Sequence, residues 1–522
     1  MGLQYHMTLG SALERNAAKY PLKKAVQDHR ASLSYGQFDR RVNRFANALA
    51  GIGLAKGSRL LTLGSNCLEL MELFYACLKL GVVVCPLDTR STLPDQVRLV
   101  ELVQPCGMAF HPDQVARAQE LAPHLAFGEP WICLGPESAA SAEASESLLK
   151  RSAETQPHVS LSGEEVAFVL FTGGTTGTPK GVELTHHNLI WNACNVITEN
   201  RSPSPEAVIC YPMQIYHSGA LSRFLATIFA GGTFVGLPKF DAALYLDTLE
   251  AEGGTFVVGN QAIWNMLLTE NQLRPRNLSA VSSWLHAQGD LSRDLLERME
   301  RELFPGAGMY ASYALTEASP GVTVLKPWDM PVEEPSIGRP YMTQEVRLVD
   351  EKDQLVAPGE VGQILVRGPN VMRGYFRDPE ATTSALAGGW LHTGDLGRSD
   401  ELGYLYFVGR LKDMIKSGGL NVYAAEVEQV LCSHPEVAEA AVIGVPHPKW
   451  GESVCAVVVP RPGSQPGPGE IIDFCQERLA SYKKPTSVFF AENLPKDSFG
   501  SKIKKNVLRQ LYGGGAHPDP PV

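Results

Sequence analysis

The stretch Phe171-Thr-Gly-Gly-Thr-Thr-Gly-Thr-Pro-Lys-Gly181, set directly behind the apolar run Val166-Ala-Phe-Val-Leu170, leaves this chain few ways to fold. The run reads as a buried strand. In the loop, Gly173, Gly174 and Gly177 let backbone N–H groups approach an anion closely. Thr172, Thr175 and Thr176 add hydroxyl donors, and Lys180 adds a mobile positive charge. Such a loop, carried on a strand end, is suited to a polyphosphate. It is not a P-loop, because Pro179 precedes Lys180 and Gly181 follows it, so no helix is expected to open at the lysine. Residues 182–188 read as a turn and cap leading into a helix.

At 522 residues the chain exceeds one ordinary core, so two or more domains are expected. The net charge of −10 and pI near 5.8 argue against nucleic-acid binding. The ten cysteines form no Cys-x-x-Cys pair, and several, such as Cys85, sit in apolar runs; they read as thiols of a reducing compartment. The N-terminus shows no charged-then-apolar signal pattern, and His6 replaces the Ser or Thr of a myristoylation start. The longest apolar stretch, 224–230, is broken by Gly231-Gly232 and is too short to span a bilayer. A cytoplasmic protein without a transmembrane segment is expected, with peripheral membrane contact left open.

Apolar spacing alternates between helical and strand periods over residues 8–130 and again from 161, which indicates an α/β fold with parallel-type sheets. Residues 136–160, rich in Ser, Ala and Glu, read as an exposed loop. Between 340 and 410 short strands separated by turn residues suggest a β-rich subdomain. These readings give a large, multi-subdomain N-terminal domain over 1–410, a small α+β C-terminal domain over 411–512, and a disordered tail over 513–522.

Further segments recur in a fixed order: His286-Ala-Gln-Gly-Asp-Leu291, Tyr313-Ala-Leu-Thr-Glu317, Trp390-Leu-His-Thr-Gly-Asp395, Gly409-Arg410, Lys416-Ser-Gly-Gly-Leu-Asn-Val-Tyr-Ala-Ala-Glu-Val-Glu428, Tyr482-Lys-Lys-Pro485 and Leu494-Pro-Lys-Asp-Ser-Phe-Gly-Ser-Lys502-Ile. With the loop at 171–181 they resemble the signatures of the adenylate-forming superfamily, which includes acyl-CoA synthetases, adenylation domains of peptide synthetases and firefly-type luciferases. The resemblance spans residues 30–509. It implies a mobile C-terminal domain and a site for ATP and Mg²⁺. In it, Thr172, Gly173, Gly174, Thr175, Thr176, Gly177 and Lys180 hold phosphates, with Thr176 also catalytic, and Gly289 meets adenine. The Tyr313 ring stacks on adenine, Thr316 meets phosphate, and Glu317 holds Mg²⁺ and is catalytic. Asp395 and Arg410 bind ribose or phosphate, Lys412 is the hinge, and Gly418 and Gly419 line the path of CoA. Lys502 is the catalytic lysine.

The chain departs from the family pattern at Ala314 (usually Gly), Leu420 (usually Glu) and Ala424 (usually Pro), and it carries one extra residue before the last lysine. Counting back from Leu508-Arg509 gives Lys502, while counting forward from Pro495 gives Ser501, which has no charge to offer. Lys504 and Lys505 read as solvated tail charges and stay open as alternatives. The implied activity is an ATP-dependent acid–CoA ligase that makes an acyl-adenylate and passes the acyl group to CoA. No carrier domain follows residue 509, so free CoA is the expected acceptor. A separate carrier protein, a luciferase-type oxygenase and a catalytically silent nucleotide-binding regulator are the rivals. His217 and Gly219 mark the acid pocket, expected to be mostly apolar for a fatty or aromatic acid. Arg223, Asn260 and Gln261 read either as contacts to a polar substituent or, for Arg223, as a surface residue.

Overall fold

The computed structural model of the chain describes residues 7–126, 128, 130–139, 141–172, 179–287, 292–329, 335–496 and 503–513. The chain divides into two compact units, residues 1–346 with 366–391 and residues 347–365 with 392–522.

Among its described residues the first unit holds two mixed sheets. The nine-stranded sheet runs Arg339–Pro340, Gly321–Leu325, Gly308–Ala314, Ser283–Ala287, Phe256–Gly259, Val208–Tyr211, Thr233–Gly236, Lys24–Gln27 and Ser32–Ser34. Its centre is parallel and its outer strands are antiparallel. The eight-stranded sheet runs Gly374–Tyr375, Lys180–Thr185, Val166–Thr172, Val83–Pro86, Arg59–Leu63, Gly107–Phe110, Trp131–Cys133 and Glu143–Ala144. Only its first two pairings are antiparallel. Helices return the chain between parallel strands, as the alternating periods implied.

Helix Leu68–Leu80 shows how the core tolerates charge. All its residues are buried, and it stops at Gly81, whose φ of +76° favours glycine. Its three charges are matched: Glu69 by Arg30, Glu72 by Arg41, and Lys79 by Asp39 at 2.6 Å. A second buried polar residue, Asn66, joins the two sheets. Its amide donates to the Met213 and Leu237 carbonyls, both at 3.0 Å, and its Oδ1 accepts from Ile215 N–H at 2.9 Å.

Two expectations need correction here. Residues 180–185 form a strand, not a turn, because Val182 and Leu184 point inward while Gly181 and Glu183 pair with the strand Gly374–Tyr375 side. The cap follows it: Thr185 and Asn188 form a capping box on helix His186–Glu199. Residues 136–160 are also not simply a loop. They include the edge strand Glu143–Ala144 and helix Ser145–Lys150, which buries Leu148 and Leu149. A pattern of two apolar residues in six is too short to register against a Ser/Glu-rich background.

The second unit builds on a four-stranded sheet, in the order Glu345–Val349, Gly362–Arg367, Leu391–Ser399 and Leu405–Arg410. Beyond it lies a five-stranded sheet. Its path is Leu420–Tyr423, Met414–Ser417, Gly451–Pro460 and Val437–His447, and Ser487–Phe490 pairs parallel to Gly451–Pro460. Helices Ala424–Cys432, Pro468–Gln476 and Lys505–Tyr512 pack on this sheet. This division groups the β-rich residues 347–365 and 392–410 with the α+β residues that follow, rather than with the large unit, and the tail from 514 onward lies outside the described residues.

Candidate active site

The predicted residues of the first unit gather at the C-terminal ends of parallel strands, where open α/β sheets place ligands. Strand Val166–Thr172 leads into the phosphate loop, and Thr172 is the register partner of Lys180 across the antiparallel pair. The two strands that flank the phosphate segment are therefore paired up to Thr172 and Lys180. Gly173, Gly174, Thr175, Thr176 and Gly177 lie outside the described residues.

A chain of contacts runs from Lys180 to the acid side. Lys180 Nζ sits over the Tyr375 ring, 4.6 Å from its centroid, and the Tyr375 hydroxyl donates to Glu317 Oε1 at 3.1 Å. Burial and the neighbouring carboxylate push the Tyr375 phenol well up, so it stays a donor. Next to Glu317, Thr316 Oγ1 donates to Ser218 Oγ at 3.1 Å. Ser218 opens helix Ser218–Ala230, and His217 is that helix's N-cap residue. The segment expected to handle the nucleotide is thus bonded to the segment expected to handle the acid. Tyr313 is buried at the end of strand Gly308–Ala314, just before this contact.

His217 has partners that sequence reading missed. After strand Val83–Pro86, Asp88 grips Arg90 at 3.2 Å, and Arg90 Nη2 donates to His217 Nε2 at 3.1 Å. With Nε2 accepting, the ring proton belongs on Nδ1. Burial lowers the imidazole to about 3; Asp88 opposes this and Arg90 adds to it. His217 is therefore neutral at any working pH. Tyr216 stacks edge-on against it at 4.3 Å. Asp88-Thr89-Arg90 had no spacing that set it apart from a polar turn after a strand, and Tyr375 lay far away in sequence.

The other acid-side candidates separate. Asn260 is a helix cap, accepting from Ile263 N–H at 3.1 Å, and Gln261 opens that helix on the exposed side. Arg223 is not on the surface; it is 4% exposed, because helix Ser218–Ala230 is enclosed nearly all round. His286 is also buried, its Nδ1 accepting from the Trp264 indole at 3.1 Å. Gly289 lies outside the described residues.

The second unit carries the remaining candidates. Asp395 and Arg410 are register partners on antiparallel strands, and their side chains pair at 3.4 Å. Lys412 follows in the 3-10 turn Leu411–Asp413, and burial followed by the nearby Arg410 lowers its pKa. Gly418 and Gly419, with φ of +60° and +82°, are the two central residues of the hairpin joining Met414–Ser417 to Leu420–Tyr423. A type I′ turn requires positive φ at both positions, so the pair already has a local reason to be glycine. Lys505 is no solvated tail charge. Its Nζ meets Glu428 at 2.7 Å with only 13% of the side chain exposed. Lys504 is exposed at the cap of helix Lys505–Tyr512. Lys502 lies outside the described residues, but its flanks are paired: Lys496 bridges to Ile503, and Lys504 N–H donates to the Pro495 carbonyl at 2.7 Å.

Among the described residues no group of three or more His, Cys, Asp and Glu side chains could hold a metal, and no helix is long and apolar enough to cross a membrane.

The family model for AMP-binding enzymes matches residues 13–376, and that for the AMP-binding enzyme C-terminal domain matches 426–500. The chain belongs to the AMP-binding enzyme family. It is 36% identical to a feruloyl-CoA synthase of an Amycolatopsis species over 97% of its own length and 99% of the relative's. It is 35% identical to the indoleacetate–CoA ligase of Aromatoleum aromaticum, over 97% and 98%. Its fold matches the O-succinylbenzoate coenzyme A synthetase of Bacillus subtilis, solved with ATP and a magnesium ion, at a TM-score of 0.84 and 28% identity, covering 95% and 99% of the two chains.

Proposed function

We propose that this protein is an AMP-forming acid–CoA ligase, activating an aromatic or fatty carboxylic acid with MgATP and transferring the acyl group to free CoA. The hydrogen bond from Thr316 to Ser218 carries this reading, since it ties a phosphate-side segment to the start of the acid-side helix. In the first step a carboxylate oxygen attacks the α-phosphate and pyrophosphate leaves. Negative charge grows on the phosphate oxygens, where Lys180, the hydroxyls of the Thr172–Thr176 stretch and Lys502 are assigned as donors, each worth on the order of 3 kcal/mol. Glu317 has the hard oxygen that Mg²⁺ favours, and a magnesium site that takes one carboxylate and completes itself with phosphate oxygens fits a single carboxylate here. Bound Mg²⁺ would neutralise phosphate charge. Tyr375 holds Glu317 in place, and Tyr313 is assigned to adenine.

Asp395 and Arg410 are assigned to the ribose and phosphate, which requires each to exchange its present partner for ligand. Residues 411–512 are proposed to turn about Lys412, removing Lys502 and bringing Gly418 and Gly419 to the thiol path. The neutral His217 would sit beside the acyl group without donating a charge to it. The ten free cysteines support a reducing, cytoplasmic setting.

The test is a panel of acids from acetate through long-chain and aromatic members, with ATP, Mg²⁺ and CoA, followed by mass detection of AMP and acyl-CoA. Acyl-CoA from an aromatic or fatty acid is expected. Pyrophosphate release without acyl-CoA would transfer the reading to a carrier-protein loader, and no acid-dependent release at all would end it.

A further inference from the structure

His217 sits at a seam between the two sheets of the first unit. Its chain comes from strand Val208–Tyr211 of the nine-stranded sheet. The side chains that hold it come from the other sheet: Thr89, at 3.2 Å from the Tyr216 hydroxyl, and Arg90 both follow strand Val83–Pro86. Residues 212–217 belong to no strand or helix. Ile215 and Tyr216 are nonetheless buried, so the backbone around them needs partners other than a ladder.

Asn66 supplies them. It follows strand Arg59–Leu63, the neighbour of Val83–Pro86, and is 1% exposed. Its Nδ2 donates to the Met213 carbonyl at 3.0 Å, and its Oδ1 accepts from Ile215 N–H at 2.9 Å. Bonding a carbonyl and the N–H two residues on is what a peptide unit of a neighbouring parallel strand does. One side-chain amide thus stands in for a missing strand. Gln214, the residue between, reciprocates: its Oε1 accepts from Asn66 N–H at 2.7 Å, and its Nε2 donates to the Pro238 carbonyl at 2.9 Å. Asn66 Nδ2 also reaches the Leu237 carbonyl at 3.0 Å. Among the described residues no other hydrogen bond ties residues 213–215 to the eight-stranded sheet. Arg90 can grip the His217 ring only if the backbone beneath that ring is fixed relative to the sheet that carries Arg90. We propose that Asn66 is a positioning residue for the acid side, setting the backbone under His217 so that Arg90 and Thr89 meet their partners. The proposal rests on the ligase reading above, in which His217 marks the acid pocket.

The test measures acid-dependent ATP–pyrophosphate exchange with octanoate and 3-phenylpropanoate as probes. Asn66→Asp keeps the shape and the acceptor for Ile215, but sets a carboxylate oxygen against the Met213 and Leu237 carbonyls. KM for the acid should rise by about 10- to 100-fold, the scale of a misplacement near 1 Å. KM for ATP should stay within about twofold. Gln214→Glu keeps the acceptor for Asn66 N–H and loses the bond to Pro238, so it should raise the acid KM by about 2- to 10-fold. In a His217→Ala background, adding either change should alter the acid KM by less than about twofold, because both act through the same ring. Loss of folded protein alone would lower kcat and leave both KM values unchanged. That result would overturn the proposal and leave Asn66 a joint between sheets, as would a full effect of Asn66→Asp in the His217→Ala background. Should Asn66→Asp fail to fold, Gln214→Glu with and without His217→Ala decides. Unchanged acid KM in the variants sinks this inference only, whereas no conversion of any acid by the wild type removes the ligase reading and this inference with it.

Discussion

In the first unit Lys180, Glu317, Thr316 and His217 are linked through a phenol, hydroxyls and a neutral imidazole. In the second, Asp395, Asp413 and Glu428 are each held by a cation, Arg410, Arg509 and Lys505 in turn, at 3.4, 3.0 and 2.7 Å. The first set stands at strand ends inside a packed unit, and among the described residues Lys180 and Glu317 meet a phenol rather than an ion-pair partner. That is preorganisation, and it suits groups that must meet developing charge. In the second set Asp395 pairs with Arg410 across two strands, and Asp413 in a 3-10 turn pairs with Arg509, both cations partly exposed. These two ion pairs can be exchanged for ligand charges at small net cost because water competes for them. The helix pair Lys505–Glu428 is mostly enclosed and stays structural. A domain that takes part in two successive reactions needs contacts that let go.

The sharpest way to break this contrast lies in the two lysines near the C-terminus. Lys502→Ala should cut acid-dependent ATP–pyrophosphate exchange by about 100-fold or more, with thioester formation from supplied acyl-adenylate nearly spared. Lys505→Ala should behave differently, because it strands Glu428, whose Oε1 also accepts from Val442 N–H at 2.7 Å. The expected outcome is a loss of about 2 kcal/mol in stability, read by denaturant unfolding, with exchange reduced only in proportion to unfolded protein. If Lys505→Ala abolishes exchange in a folded enzyme and Lys502→Ala does not, the numbering across the extra residue is wrong.

Asp395→Ala should weaken ATP binding by roughly 1.5–3 kcal/mol, the value of hydrogen bonds to a charged acceptor. Its pairing with Arg410 gives the test a second arm. Arg410→Ala should also weaken ATP, and the double variant should lose less than the sum if the pair acts on one ligand group. Unchanged ATP affinity in Asp395→Ala would make the pair structural.

How much of this was open to reading from the sequence follows the same division. The strands Arg59–Leu63 and Val166–Thr172 and the helix Leu68–Leu80 were legible because each is a continuous apolar or helical-period run with its own stop signal, such as Gly81. The fold class followed from their alternation. Asp88, Arg90 and Tyr375 were not legible, since they reach the site through sheet order and lie 129, 127 and 58 positions from their partners His217 or Glu317, separations that no local period encodes; their roles come from contacts at His217 and Glu317. Arg223 was read as open between surface and pocket because a lone arginine in an apolar helix gives no sign of which side is covered. Lys505 looked solvated because its counter-ion, Glu428, belongs to another helix.

Gly418 tests whether the second unit's turn is structural or functional. Gly418→Leu alone would confound the two, since φ of +60° is strained for leucine whatever the path of CoA. Asparagine tolerates that region, so Gly418→Asn should keep the hairpin, at a cost of about 1 kcal/mol or less. A Cβ there comes only to 3.7 Å from Trp450 Cδ1, which is ordinary contact. With the turn intact, normal pyrophosphate exchange and a several-fold fall in acyl-CoA formation are expected if the turn lines the thiol path. Wild-type acyl-CoA formation in Gly418→Asn would leave the glycines with their turn role alone.

The smallest effect concerns what each unit responds to in solution. His186 opens helix His186–Glu199, fully buried, with Nδ1 accepting from Leu9 N–H at 3.3 Å. Burial lowers its pKa to about 4, with Glu165 opposing. An unfolded histidine titrates near 6.5, so the unfolded chain binds the proton first as pH falls. Stability from this group is therefore complete above about pH 6.5 and declines by roughly 1.4 kcal/mol per unit below it, until about pH 4. His217, lowered to about 3, acts in the same direction. The protection of helix His186–Glu199 against hydrogen exchange, corrected for the intrinsic exchange rate at each pH, should fall between pH 7 and pH 5.5, and His186→Gln, whose amide can still accept from Leu9, should flatten that response. Added salt should leave this helix unaffected, because neutral contacts are not screened. Helix Lys505–Tyr512, held by Lys505–Glu428 and Arg509–Asp413, should show the converse: faster exchange in high salt at pH 7. Equal salt response of the two helices would mean that the ion pairs contribute little, and the contrast between the units would reduce to burial.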